Sequence, residues 1–111
     1  MSMTDNEIIV NGGNFNNRDI NGAFANNVKL NVVNVNDNRV KINAGNGIRS
    51  VYGGFTRNGT ASGNKVFINK TTIGGLVYGS YVDGNGVAKN NEVTITDATV
   101  NESVSGGYVQ R

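Results

Sequence analysis

Few residues in this chain can carry acid–base, nucleophilic or metal chemistry. Histidine and cysteine are both absent, which removes the commonest general base, the commonest zinc ligand and any thiolate. The eight carboxylates are Asp5, Glu7, Asp19, Asp37, Asp83, Glu92, Asp97 and Glu102. They show no paired spacing that recurs along the chain, as convergent acid–base pairs would need. Asp83-Gly84-Asn85-Gly86 and Asn36-Asp37-Asn38 have the composition of calcium loops but not the ligand spacing of an EF-hand or the nonapeptide pattern of a calcium β-roll. They read as turns. Thr94-Ile95-Thr96 is a single Thr-x-Thr, with Phe67 and Asn69, then Lys41 and Asn43, at matching positions; this is not an ice-binding face. The remaining candidates are aromatic. Tyr52 and Tyr78 stand in the same local phrase and offer flat rings for a sugar or a partner surface. No catalytic residue, metal ligand or cofactor site is expected.

Those tyrosines belong to a repeat. Val51-Tyr52-Gly53-Gly54-Phe55 returns as Val77-Tyr78-Gly79-Ser80-Tyr81 and again as Val104-Ser105-Gly106-Gly107-Tyr108. Asn38-Arg39-Val40-Lys41-Ile42 returns as Asn64-Lys65-Val66-Phe67-Ile68 and Asn91-Glu92-Val93-Thr94-Ile95. Both phrases keep a beat of 26 and then 27 residues. A fixed period of this size is the mark of a solenoid or an array. Within a repeat, Val66 and Ile68 fall on one side of an extended segment and Lys65, Phe67 and Asn69 on the other. Three short strands per repeat follow: 50–55, 65–69 and a piece around Ile73, with copies one period away. Arg57–Thr60 and Asp83–Gly86 read as the turns between them.

Stacking such repeats pairs each strand with its copy about 4.8 Å away. It also aligns Val51, Val77 and Val104, then Val40, Val66 and Val93, then Ile42, Ile68 and Ile95 as inward ladders. Phe55, Tyr81 and Tyr108 share parity with the first ladder, so they are expected inward or at a corner. Asn38, Asn64 and Asn91 share parity with the second and are expected to hydrogen-bond along the stack. The fold class is therefore all-β, a parallel β-solenoid of about three coils with an N-terminal capping segment. An antiparallel β-sandwich is the alternative, because the Asn-Gly pairs are also good hairpin turns.

Upstream the pattern weakens. Val10-Asn11-Gly12-Gly13 with Phe15 echoes the Val-x-Gly-Gly phrase, and Ala23–Leu30 echoes Ala61–Ile68. A hairpin with strands near 28–35 and 39–43, turning at 36–38, is expected to cap the first coil. The division is then 1–7, a disordered N-terminus or tag remnant; 8–37, an irregular first coil or cap; and 38–111, the solenoid repeats.

The composition excludes several classes. Net charge is +2 with Lys and Arg scattered, which gives no footprint for nucleic acid. No apolar run spans a bilayer, and the first residues have no secretory-signal pattern. Asn occurs 21 times and Gly 16 times in 111 residues, a composition that suggests disorder until the regular return of Val, Ile and Tyr is noticed.

The phrases Val51–Phe55, Asn58–Ile68 and Ile73–Tyr81 resemble the Gly/Asn-rich repeats of autotransporter-type adhesin passengers of Gram-negative bacteria. The resemblance covers about 38–111 well and 8–30 loosely. It implies a right-handed parallel β-helix, a cell-surface or secreted location, and a structural or adhesive role toward a host-cell or glycan receptor. These residues hold about three full repeats; a signal peptide and a translocator barrel, which the resemblance implies, are expected outside them. A stand-alone oligomeric or phage-fibre-like binding protein is the alternative function, and a polysaccharide-degrading β-helix enzyme a lesser one. Solenoid ends expose unpaired strands, so self-association is expected there, with Val104 and Tyr108 as the contact residues.

Overall fold

A computed structural model describes residues 1–26 and 31–110. It is an all-β parallel solenoid of about three turns. The strands are β1 (Ser2–Thr4), β2 (Glu7–Asn21), β3 (Phe24–Ala25), β4 (Asn34–Asn36), β5 (Arg39–Ser62), β6 (Lys65–Asn69), β7 (Thr72–Ile73), β8 (Val77–Lys89), β9 (Glu92–Thr96), β10 (Thr99–Val100) and β11 (Val104–Gln110). Every described pairing is parallel. That sets aside the antiparallel sandwich.

The register is the one the 26/27 beat implies. Val40 pairs with Val66 and Val66 with Val93; Ile42 pairs with Ile68 and Ile68 with Ile95. Val51 pairs with Val77 and Val77 with Val104. Ile48, Ile73 and Val100 form the short third ladder. Val40, Ile42, Val51, Val66, Ile68, Ile73 and Val77 have no solvent-accessible surface. They make one apolar column. A second, smaller column holds Ala23, Ala25, Val33, Val35, Ala61 and Val82.

A ladder of asparagines lies between strands on one buried corner. Asn6 N–H and Nδ2–H both donate to Asn38 Oδ1, at 3.1 and 2.9 Å. Asn38 repeats this toward Asn64 Oδ1, at 3.0 and 3.0 Å. Asn64 repeats it toward Asn91 Oδ1, at 3.0 and 3.1 Å. The second Nδ2 hydrogen of Asn38, Asn64 and Asn91 goes to the backbone carbonyls of Met3, Val35 and Ala61. Asn38 and Asn64 are fully buried, and each uses both amide hydrogens and two bonds to its oxygen. The residue before each ladder asparagine is left-handed: Asp5, Asp37, Gly63 and Asn90, with φ of 58°, 56°, 67° and 58°. Asp, Asn and Gly tolerate that conformation best. So the corner is written in the sequence as a pair, an αL-tolerant residue followed by Asn.

A second corner belongs to glycine. A Cβ at Gly53 would strike the Gly79 carbonyl oxygen, and a Cβ at Gly79 would strike that of Gly106. A Cβ at Gly54 would lie 3.0 Å from both Asn64 Nδ2 and Val35 Cγ2. Two successive residues thus turn inward, and the alternation changes phase across the corner. Thr56 and Val82 face the interior, while Phe55 and Tyr81 face outward beside Tyr52 and Tyr78. Of the two places expected for Phe55, Tyr81 and Tyr108, inward or at a corner, the inward one is corrected: Phe55 and Tyr81 lie outward, directly after the glycine corner.

The first coil is also corrected. Ile8 and Val10 pair with Val40 and Ile42, so Val10 opens no Val-x-Gly-Gly phrase. The true counterpart is Ile20-Asn21-Gly22-Ala23-Phe24, with Ile20 opposite Val51 and Phe24 opposite Phe55. Ala61 faces Val35 rather than Ala23. The asparagine-to-asparagine steps of 32, 26 and 27 residues show where the beat was lost. One extra residue sits in Asn11–Asp19, where the register shifts repeatedly, and the remainder between Ala25 and Val35. Asn34–Asn36 and Arg39–Ile42 do not form a hairpin. Each pairs in parallel with neighbouring coils, and residues 28–30 of that expected hairpin, with the end of the Ala23–Leu30 echo, lie outside the described residues. Ser2–Thr4, expected to be outside the fold, forms a strand against Asn34–Asn36. Arg57–Thr60 and Asp83–Gly86 run on as strand. The extra residue of the longer coil is absorbed as a bulge between Thr56 and Asn58.

Removing one amide of the ladder orphans groups on both sides. Each unsatisfied buried group costs about 1–3 kcal/mol. Asn64→Ala is therefore expected to lower unfolding free energy by about 3 kcal/mol or more in a denaturant titration. Asn43→Ala, whose half-buried side chain donates to Asn11 Oδ1 and accepts from Asn69 Nδ2, should cost only about 1 kcal/mol. Equal losses at the two sites would contradict the role given to the ladder.

Candidate functional site

The phase change at Gly53-Gly54 places two outward ladders side by side. One holds Tyr52 and Tyr78, preceded by Asn21 and followed by Ser105. The other runs Phe24, Phe55, Tyr81, Tyr108. Tyr52 and Tyr78 have ring centroids 5.7 Å apart. Tyr52 also meets Tyr81 edge-on at 5.6 Å and Phe55 at 6.5 Å. Tyr78 stacks on Tyr108 at 5.0 Å and 8°, and Phe24 on Phe55 at 4.6 Å and 11°. Six rings thus form one strip along the side of the stack. Spacings of 4.5–7 Å suit offset and edge-to-face aromatic pairs.

The strip covers itself. Tyr78 is only 6% exposed and Tyr52 is half-buried. The rings with free area are at the two extremes, Phe24 at 48% and Tyr108 at 38% exposed. Phe24 was not singled out from sequence because Ile20-Asn21-Gly22-Ala23 disguises its phrase. The parallel spacing of Ile20, Gly22 and Phe24 to Val51, Gly53 and Phe55 was the available signal.

Beside Tyr52 lies a polar groove lined by Asn16, Asn17, Arg18, Asp19 and Arg49. Arg49 donates through Nε and Nη2 to the two oxygens of Asp19, at 2.9 and 3.0 Å. That bidentate hydrogen bond, with the attraction of the carboxylate, holds the guanidinium proton above its ordinary range. Asn16 and Asn17 are both left-handed, which folds the irregular part of β2 toward Arg49. Burial pushes the phenols of Tyr52, Tyr78 and Tyr81 up from 10.0, with the Ser50 hydrogen bond opposing it at Tyr52 and neighbouring negative charge adding to it at Tyr78 and Tyr81.

The β9–β11 end of the stack is the second surface. Val104 is 49% exposed and continues the Val51–Val77 ladder, while Tyr108 ends the aromatic strip; both lie on β11, which among the described residues pairs with β8 alone. Among the described residues no three acidic side chains gather into a metal-holding group. Asp83 borders the aromatic strip near Tyr81, and Asp97 occupies a left-handed corner after β9. No helix among the described residues is long and apolar enough to cross a membrane.

Comparison with protein-family models, with curated proteins and with solved structures gave no match.

The raised phenols set a pH dependence. A phenol held neutral by the fold ionises more readily once unfolded, so its contribution is intact below about pH 10 and is lost as pH rises through the folded pKa. The melting temperature is expected to hold from pH 7 to 9 and fall above about pH 10. The double variant Tyr52→Phe with Tyr78→Phe should flatten that alkaline fall. An unchanged alkaline slope in the variant would contradict the assignment.

Proposed function

We propose that this chain is a structural or adhesive β-solenoid segment of a bacterial cell-surface protein of the autotransporter-passenger type. The observation that carries the reading is the stack, regular from Arg39 onward. Consecutive coils present equivalent positions in register, tied by one buried asparagine ladder, with polar turns and one aromatic strip on the outside. Such a stack lengthens by adding coils and needs no large globular core. Its mechanism is presentation: it holds side chains at fixed spacing along a rod. The local phrases around Val51–Tyr81 are the ones that resemble adhesin repeats, and their residues are those that make corners and ladders.

A host-cell or glycan receptor fits the aromatic strip with its adjoining Arg49–Asp19 groove. Ring faces suit the C–H faces of sugars, while Asn, Asp and Arg groups bond hydroxyls. Tyr52, at the junction of strip and groove, is the central residue of that surface, with Tyr78 supporting it from the next coil.

Source cells treated with external protease, then fractionated and blotted for this chain, test the location. The chain is expected in the envelope fraction and to be cleaved on intact cells; a protected cytoplasmic chain would overturn the surface reading. Tyr52→Ala with Tyr78→Ala is expected to abolish attachment to host cells or a glycan array while the fold persists by circular dichroism. Undiminished attachment would remove the strip from the receptor surface.

A further inference from the structure

Five Asn-Gly pairs occur in the chain, at 11–12, 21–22, 46–47, 58–59 and 85–86. Such a pair can rearrange without an enzyme. The glycine N–H loses its proton to hydroxide, and the nitrogen attacks Cγ of the asparagine side chain. The Cγ–Nδ2 bond breaks and ammonia leaves, closing a succinimide ring. Water then opens the ring at either carbonyl. The product is aspartate or, where the backbone is rerouted through Cγ, isoaspartate. The net exchange is one water taken up and one ammonia released. Glycine favours ring closure because it has no Cβ to obstruct it. A folded backbone opposes closure, because the pair must leave its place before the two atoms can meet.

The fold protects these pairs unequally. Gly22 N–H donates to the Tyr52 carbonyl at 2.9 Å, and a Cβ on Gly22 would lie 2.4 Å from the Gly53 carbonyl oxygen. Gly59 is buried, and a Cβ on it would lie 2.2 Å from the Val33 carbonyl oxygen. Asn58 and Gly59 also pair in register with Asn85 and Gly86, and the Asn58 carbonyl accepts from Val33 N–H at 2.9 Å. Asn46 and Gly47 are held by much less. Both are exposed, and the Asn46 carboxamide has no hydrogen-bond partner among the described residues. Asn46 pairs with Asn14 of the coil before. Toward the coil after, pairing stops at Ile42 with Ile68 and resumes at Ile48 with Ile73, so residues 43–47 have no strand partner there. Gly47 is left-handed, with φ of 70°. The pair sits in the second coil with a neighbour on each side, so its exposure does not come from an end of the stack.

We propose that Asn46 is a modification site: in the folded protein it converts through the succinimide to aspartate and isoaspartate ahead of Asn21 and Asn58. Asn11 and Asn85 lie in the outermost coils, where a further coil would alter their surroundings, so the ranking is among the other three. The clamp on Asn21-Gly22 faces inward, onto Tyr52 and Gly53, and owes nothing to an end. Conversion puts a carboxylate where a neutral amide stood and lowers the net charge of +2 by one. A Cβ on Gly47 would lie 3.2 and 3.4 Å from the backbone nitrogens of Asn16 and Asn17. The new charge therefore arises against the turn that leads into Arg18 and Asp19 of the groove. Isoaspartate also adds a backbone atom just ahead of buried Ile48, which loosens the short third ladder; aspartate leaves the backbone path unchanged.

The inference is independent of the surface reading, because it concerns the folded chain wherever the protein resides. The test holds the chain at mildly alkaline pH and follows each asparagine by peptide mapping in a mass spectrometer, with isoaspartate assigned by electron-transfer fragmentation. In the folded chain Asn46 is expected to convert at least about tenfold faster than Asn21 and Asn58, as an open site does beside protected backbone. In concentrated urea the three should convert within about threefold of one another, because the shared Asn-Gly pair then sets the rate. Asn46→Gln, whose longer side chain closes its ring far more slowly, should keep the circular dichroism spectrum and lose the first acidic species on ion exchange. Asn21 or Asn58 converting as fast as Asn46 in the folded chain would overturn the proposal. So would an Asn46 that stays intact while the unfolded chain converts, the same preference persisting in urea, or an early acidic species that survives in Asn46→Gln.

Discussion

The structure depends on one buried polar constraint, the requirement that every amide of the asparagine ladder find its partner. Asn38 and Asn64 are wholly removed from solvent, a position asparagine reaches only when its hydrogen bonds are met. The ladder meets them between coils rather than within one. Slippage by a residue would break three side-chain bonds per coil step and turn the flanking valines and isoleucines outward. Strand pairing alone is weakly specific in a Gly- and Asn-rich chain; the ladder supplies what the backbone lacks. It also dictates the left-handed residue before each asparagine, and so places polar αL-tolerant residues at a corner that would otherwise read as loop.

The glycine corner solves a different problem with function-bearing consequences. Backbones at Gly53, Gly79 and Gly106 approach too closely for any side chain. The tight bend puts two successive residues inside and changes which residues look out. Without that phase change Tyr52 and Phe55 would lie on opposite faces of a strand. With it they join one lateral strip, against a groove held by the Arg49–Asp19 pair. The aromatic surface is thus a product of the bend rather than of simple alternation.

Much of this was legible in the chain. The 26/27 beat predicts the parallel register, and the valine, isoleucine and asparagine ladders stand where periodicity puts them. What escaped did so for physical reasons. Alternation holds only while a strand stays straight, so the outward turn of Phe55, Tyr81 and Tyr108 could not be read from parity. The first coil hid because its corner phrase keeps the geometry with other residues. Ile20 replaces valine and Ala23 replaces the second glycine, while Gly22 alone stands at the crowded point. Phrase matching followed Val10-Asn11-Gly12-Gly13 instead, where glycines occupy an irregular segment of β2. The second apolar column escaped because Val33 and Val35 fall in the expected hairpin strand 28–35, and Ala61 and Val82 border the expected turns 57–60 and 83–86. Tyr78 illustrates a limit of another kind: its outward direction followed from pattern, but its burial arises from the neighbouring rings.

Hydrogen exchange of asparagine side-chain amides, followed by NMR on the folded chain, addresses the ladder most directly. The account predicts that the carboxamide hydrogens of Asn38 and Asn64 exchange at rates near those of global unfolding, far more slowly than those of the exposed Asn46 and Asn85. Exchange of Asn38 and Asn64 as fast as those exposed asparagines would mean that the ladder opens freely, and that something else holds the coils in register.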